Sequence, residues 1–134
     1  MSVAVLLITH DKIGQAVLDT AAKIIGEMPL NIKRMGVSMT AGLEETLDKA
    51  HAQIVQLDEG QGVLVLTDLF GATPSNIARQ LHTGNIAVIS GLNLPMLIRV
   101  LNYPRLSLPE MVEKAVSGAH DGIIVIQSAG ETDA

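Results

Sequence analysis

Val63-Leu64-Val65-Leu66-Thr67-Asp68-Leu69-Phe70-Gly71-Ala72-Thr73-Pro74-Ser75-Asn76 is an apolar run of strand length that ends in a carboxylate, crosses a glycine and opens onto helix-start residues. It reads as a strand, a turn and a helix. Thr73 suits the N-cap, where its hydroxyl accepts a backbone N–H, and Pro74 suits the first helical position because its missing N–H would be unpaired there anyway. Asp68 then stands at the carboxyl end of a strand, facing the positive end of a helix. Such a place holds an anion or orients a base, and the group that Asp68 would serve is His10.

Upstream, Val3 to Ile8 is continuously apolar, as a central parallel strand covered on both faces requires, and it delivers Thr9, His10 and Asp11 at its end. From Lys12 the period becomes helical. Ile13, Val17, Ala21 and Ile24 share one face, with Asp11 the expected cap and Gly26 the expected stop. Ile32 to Val37 mixes Lys33 and Arg34 with apolar neighbours, the composition of an edge strand. Leu43, Leu47, Ala50, Ile54 and Leu57 form the stripe of a second helix, with Glu44 and Glu45 in its first turn where the helix dipole favours them.

Downstream of the helix from Thr73 to about Leu81, Gly84-Asn85 turns into a strand at Ile86 to Ile89, and Ser90 to Pro95 leads into another helix. Ser107 and Glu110 have capping-box spacing. Leu108, Met111, Val112, Ala115, Val116 and Ala119 supply the buried face of the last helix. Ile123 to Ile126 is expected as a final strand, and residues 129–134 as a polar, disordered tail.

Strand and helix alternate throughout, so the fold class is α/β: a three-layer sandwich on a mostly parallel sheet with right-handed crossovers. In such sheets the ligand site lies off the carboxyl ends of the strands where the strand order reverses. For the flavodoxin-like order the flanking strands are the first and third, which end in His10 and Asp68. Neighbouring strands lie roughly 5 Å apart, so the two side chains can meet.

With 134 residues the chain reads as one domain, 1–128, able to bury a core without disulfides or a structural metal. It has no cysteine, which fits a reducing cytoplasm and removes thiolate chemistry. The formal charge is −5 and the aromatic residues are Phe70 and Tyr103, so nucleic acid is not an expected partner. No stretch is long and apolar enough for a membrane span, and Met1-Ser2-Val3 lacks the basic flank of a signal peptide. His51, His82 and His120 read as surface residues with no metal-binding spacing, and Met39 and Met96 as core or crevice-rim residues.

A histidine paired with a carboxylate is held in one tautomer: the carboxylate accepts from one ring N–H and the other nitrogen keeps its lone pair. That makes a nucleophile or a general base. Helix starts near Asp11, Thr73 and Asn93 or Leu94 would turn backbone N–H groups inward, together with the hydroxyls of Thr9, Thr73 and Ser75, a set that suits a phosphoryl group. Phe70, Gly71, Asn93 and Pro95 would line the site. There is neither a Gly-x-x-x-x-Gly-Lys loop nor a Gly-x-Gly-x-x-Gly turn to hold a nucleotide, so no cofactor is expected and the phosphoryl group is expected to arrive on another protein.

Three motifs carry a resemblance: Thr9-His10, then Thr67 to Asn76, then Gly91-Leu92-Asn93-Leu94-Pro95-Met96-Leu97. Together they resemble the enzyme IIA domain of the mannose-type sugar phosphotransferase system over nearly the whole chain. The resemblance implies that His10 accepts phosphate from the phosphohistidine of the carrier protein HPr and passes it to a IIB partner, with Asp68 orienting the ring. It further implies a homodimer in which the last strand is exchanged between subunits, and contact with a membrane only indirectly, through a transporter complex. Burial of Ile123 to Ile126 within its own sheet is an equally good reading of that segment. Many family members continue into a IIB domain whereas this sequence stops at Ala134, which leaves open both the downstream acceptor and the choice between sugar uptake and regulation. Phe70 stands where a Trp is common in the family, and either residue makes an apolar lid.

Rival readings remain. A response-regulator-like receiver would be phosphorylated on Asp68, but it requires an acidic pair after the first strand and a lysine after the fifth. The phosphotransfer subunit of a dihydroxyacetone kinase system shares the fold and the strand-end histidine, and fits Thr67 to Asn76 less well. A small hydrolase using the pair as a base would need a serine elbow or a metal cluster, and neither is evident.

Overall fold

The computed structural model describes residues 1–38, 40, 42–81 and 85–128. His82, Gly84, Met39 and the tail 129–134, each the subject of an expectation above, lie outside the described residues. The strands are β1 (Ala4–His10), β2 (Ile32–Val37), β3 (Val63–Thr67) and β4 (Ile86–Ser90), and the helices are α1 (Ile13–Ile25), α2 (Leu43–Leu57), α3 (Thr73–Leu81), α4 (Leu94–Leu101) and α5 (Leu108–Asp121).

The sheet order is β2-β1-β3-β4 and every pairing is parallel. Alternate residues of the central strands feed two cores. Val5, Leu7, Leu64 and Leu66 pack with α1, α4 and α5, while Leu6, Ile8, Val63 and Val65 pack with α2 and α3. This is why Ala4 to Ile8 and Val63 to Leu66 are apolar at every position: each run is covered on both faces. The chain leaves β1 toward β2 on one side and β3 toward β4 on the other. The reversal of order therefore falls between the ends of β1 and β3, where His10 and Asp68 sit.

The starts of α1 and α3 and the buried face of α1 differ from expectation. Asp11 does not cap α1: Lys12 holds the cap position without a side-chain bond, and it is Thr9 whose Oγ1 accepts the Gly14 N–H at 2.7 Å. The buried face of α1 is set by Gly14 and Ala21 with Val17, Leu18 and Ile25 behind them, whereas Ile13 and Ile24 are exposed. Close approach to Thr9 and Leu7 selects the glycine side of this helix, and a tally of apolar period does not register a glycine. The α3 cap is Ala72, whose carbonyl accepts the Asn76 N–H at 2.9 Å; Thr73 and Pro74 are already helical. Pro74 still lies in the turn where an N–H has no helical partner.

Ile123 to Ile126 is not a strand of this sheet. The four residues follow α5 without regular structure and are 72%, 74%, 75% and 92% exposed. The expectation of a fifth strand within the chain's own sheet is overturned, and the outer edge of β4 pairs with no strand among the described residues.

The capping box of α5 is formed as expected, with the Ser107 hydroxyl accepting the Glu110 N–H and Glu110 accepting the Ser107 N–H. α5 crosses α4 through two glycines. A Cβ at Gly118 would overlap the Cβ of Arg99, and one at Gly122 would overlap Pro95. Because these obstacles are the roots of side chains rather than flexible ends, Gly118→Ala should destabilise the protein by about 1–3 kcal/mol, despite the better helix propensity of alanine. Urea unfolding checks this, and an unchanged midpoint would show that α4 yields.

Candidate active site

Strand β1 ends on His10 and β3 passes directly into Asp68, so two adjacent parallel strands bring the pair together. His10 Nδ1 lies 2.8 Å from Asp68 Oδ2. The same oxygen accepts the His10 backbone N–H at 3.2 Å. One carboxylate oxygen thus fixes both the main chain and the ring of His10. The Asp68 side chain is 10% exposed and that of His10 30%, so the acceptor is sheltered while the ring keeps an open edge. With Nδ1 donating to Asp68, Nε2 carries the lone pair.

Burial of the Asp68 carboxyl works to raise its pKa. The hydrogen bonds it accepts from the His10 ring, the His10 backbone N–H and its own backbone N–H, together with the ring's charge, outweigh that and hold it below the ordinary carboxylate value. Its second oxygen, Oδ1, is buried without a partner among the described residues. A carboxyl whose folded pKa is depressed contributes stability that is present above its unfolded pKa and is lost as pH falls through the folded one. The stability difference between wild type and Asp68→Asn should therefore shrink below the ordinary carboxylate range. Urea midpoints taken down the acid limb test this, and a difference constant with pH would count against the ion pair.

The residues around the pair divide into open and closed. Thr73 is exposed at the start of α3, beside the tight turn of Gly71, whose φ of 86° a side chain would resist. Leu69 and Phe70 stand out into solvent, with the Arg79 guanidinium 5.9 Å from the Phe70 ring centroid. Thr9 and Ser75, by contrast, are fully buried. The Thr9 hydroxyl is engaged by Gly14 and by the His10 carbonyl. Ser75 Oγ lies 3.2 Å from Ser90 Oγ, itself 2.9 Å from Thr67 Oγ1. These three hydroxyls tie the ends of β3 and β4 to the start of α3, so Thr9 and Ser75 act as framework.

Asn93 caps α4, its Oδ1 accepting the Met96 N–H at 2.8 Å, and its Nδ2 donates to the Ala119 carbonyl. Pro95 packs toward Gly122, the C-cap of α5. The described contacts of both are with the α4–α5 pair rather than with His10. Ser90 escaped notice in the sequence because it reads as the first residue of the loop after an apolar strand. Only the register, which sets it opposite Thr67, shows its use. Gly36 escaped notice as well, although a lone glycine within a strand is the usual mark of a close backbone approach. Among the described residues no group of His, Cys, Asp and Glu is arranged to hold a metal ion, and no helix is long and apolar enough to cross a membrane.

Residues 4–117 match the EIIA-man family model, described as the fructose IIA component of the phosphotransferase system (PTS). The chain belongs to the EIIA-man family. Among its EIIA-man relatives, the PTS mannose-specific EIIAB component of Escherichia coli K12 is 30% identical over 134 residues, which is 96% of this chain and 41% of that protein. The chain thus spans about two-fifths of that relative's length. The PTS sorbose-specific EIIA component of Lacticaseibacillus casei is 29% identical, covering 81% of this chain and 79% of its own. Among solved structures, the mannose/sorbose specific IIA subunit of the phosphotransferase system from Enterococcus faecalis superposes with a TM-score of 0.86 at 25% identity, covering 98% of this chain and 100% of that one. The EIIA-man assignment makes this chain a IIA component of the sugar phosphotransferase system, of the mannose type.

Proposed function

We propose that His10 is a phosphocarrier, taking a phosphoryl group from phospho-HPr and passing it to a IIB protein or domain. The carrying observation is the 2.8 Å bond from Nδ1 to Asp68, which commits one ring nitrogen and leaves Nε2 as the nucleophile. In the transfer, the Nε2 lone pair attacks phosphorus. The P–N bond of the donor phosphohistidine breaks with its electron pair staying on the donor ring. The His10 ring gains positive charge as the new P–N bond forms, and Asp68 offsets that charge across the hydrogen bond. Passing the group to IIB is the same step reversed. Neither metal nor nucleotide takes part.

The exposed Thr73 hydroxyl and the backbone N–H groups at the start of α3 serve as donors for the phosphoryl oxygens. Leu69 and Phe70 offer an apolar rim on which partner proteins seat. The chain works in the cytoplasm as a homodimer, in which Ile123 to Ile126 adds antiparallel to the free edge of β4 in a second copy. The passed phosphate supports sugar uptake or serves as a regulatory signal.

The test is incubation with phosphoenolpyruvate, enzyme I and HPr, followed by intact-mass analysis and site mapping, with His10→Ala as control. One phosphate on His10, labile in acid and stable in base, is expected. Phosphate on Asp68 would favour a receiver, and no phosphate from an active HPr would overturn the carrier reading.

A further inference from the structure

The joint that follows His10 is strained in a way that depends on a residue of another strand. Asp11 has φ of 36°, the sole positive value at a non-glycine position among the described residues. Its N–H donates to the Val37 carbonyl at 3.2 Å, carrying the β1–β2 ladder one step past His10. Its carbonyl is turned onto the Cα of Gly36. A Cβ at Gly36 would stand well under 3.0 Å from that oxygen and 3.1 Å from its carbon, so no side chain fits while Asp11 keeps this conformation.

Gly36 is exposed on an edge strand, where a glycine gives up strand preference and fills no core. Core packing therefore does not account for it; the approach of Asp11 does. Opposite, a Cβ at Gly14 would come within 3.0 Å of Thr9 Oγ1, so Thr9 and Asp11 are each held against a glycine, with His10 between them. Because Asp68 Oδ2 accepts from both the His10 main chain and its ring, a rotation of the chain at Asp11 moves both bonds together.

We infer that Gly36 is a positioning residue for His10, admitting the Asp11 carbonyl that sets the angle at which the ring meets Asp68. The inference rests on the reading of His10 as the reactive group, and the test therefore reads the ring directly as well as its reaction. In the full chain labelled with ¹⁵N-histidine, wild type should show His10 protonated on Nδ1 whenever the ring is neutral. Gly36→Ala should show a mixture of tautomers in the molecules that remain folded, and a phosphoryl acceptance rate from phospho-HPr lower by about 10–100-fold, a loss larger than the change in folded fraction explains.

Asp11→Val, a β-branched residue that resists positive φ, disturbs the same joint from the other side and should give the same mixture, whereas Asp11→Gly should not. It also keeps the inference falsifiable if Gly36→Ala fails to fold. A wild-type ring spectrum in Gly36→Ala or Asp11→Val would overturn the inference, as would a rate loss accompanied only by lost stability. If wild type accepts no phosphate while these variants still redistribute the tautomers, positioning stands and the carrier reading falls.

Discussion

Asp68→Asn should slow phosphoryl acceptance at His10 by about 10²–10⁴-fold while leaving the chain folded. In the native site one oxygen accepts two hydrogen bonds from His10, and the other oxygen is buried without a described partner. An asparagine can place its amide in two ways. With the carbonyl toward His10 it keeps both bonds, but it buries an unpaired NH₂ where Oδ1 was and lacks the charge that offsets a cationic ring. With the NH₂ toward His10, donor faces donor at the backbone N–H, and Nδ1 becomes an acceptor. The ring proton then moves to Nε2 and removes the lone pair that attacks phosphorus. Both routes disfavour transfer. Rapid-quench transfer from phospho-HPr, with circular dichroism to confirm the fold, measures the effect, and an unchanged rate would remove Asp68 from the mechanism.

Ending the chain at Gly122 should turn a dimer into a monomer. Ile123, Ile124, Val125 and Ile126 are largely exposed in the single chain, just after α5, while the outer edge of β4 has no strand beside it among the described residues. Burying each such side chain is worth roughly 1.5–3 kcal/mol, and an edge-on strand pairing also satisfies the open backbone groups of β4. Two copies exchanging the segment gain this twice for one association. Sedimentation of the full chain and of the shortened one tests the proposal. A shortened chain that remained a tight dimer would place the interface elsewhere.

Much of this architecture could be read from residue pattern. Val3 to Ile8 and Val63 to Leu66 are apolar at every position because both faces are covered, and that signature needs no partner to interpret. His10 and Asp68 were legible because topology alone puts the ends of the first and third strands side by side. What the pattern missed was decided across the fold. Thr9 was read as open to a phosphoryl group, yet its hydroxyl is used by Gly14, and Ser75 was read the same way, yet it is buried against Ser90. Polarity states that a hydroxyl needs a partner without saying whether the partner is a ligand or the next helix. Ile123 to Ile126 shows the opposite limit, since hydrophobicity demands a cover but not one from the same chain.

The shared oxygen of Asp68 has one more consequence. The amide proton of His10 and the proton on its ring compete for the same acceptor, so any change of charge on the ring alters the field and the bond length felt by the amide. A single main-chain resonance thereby becomes a built-in reporter: its frequency follows the occupancy of His10, and the fraction of loaded molecules can be followed in real time, in an unmodified sequence, without observing the imidazole at all.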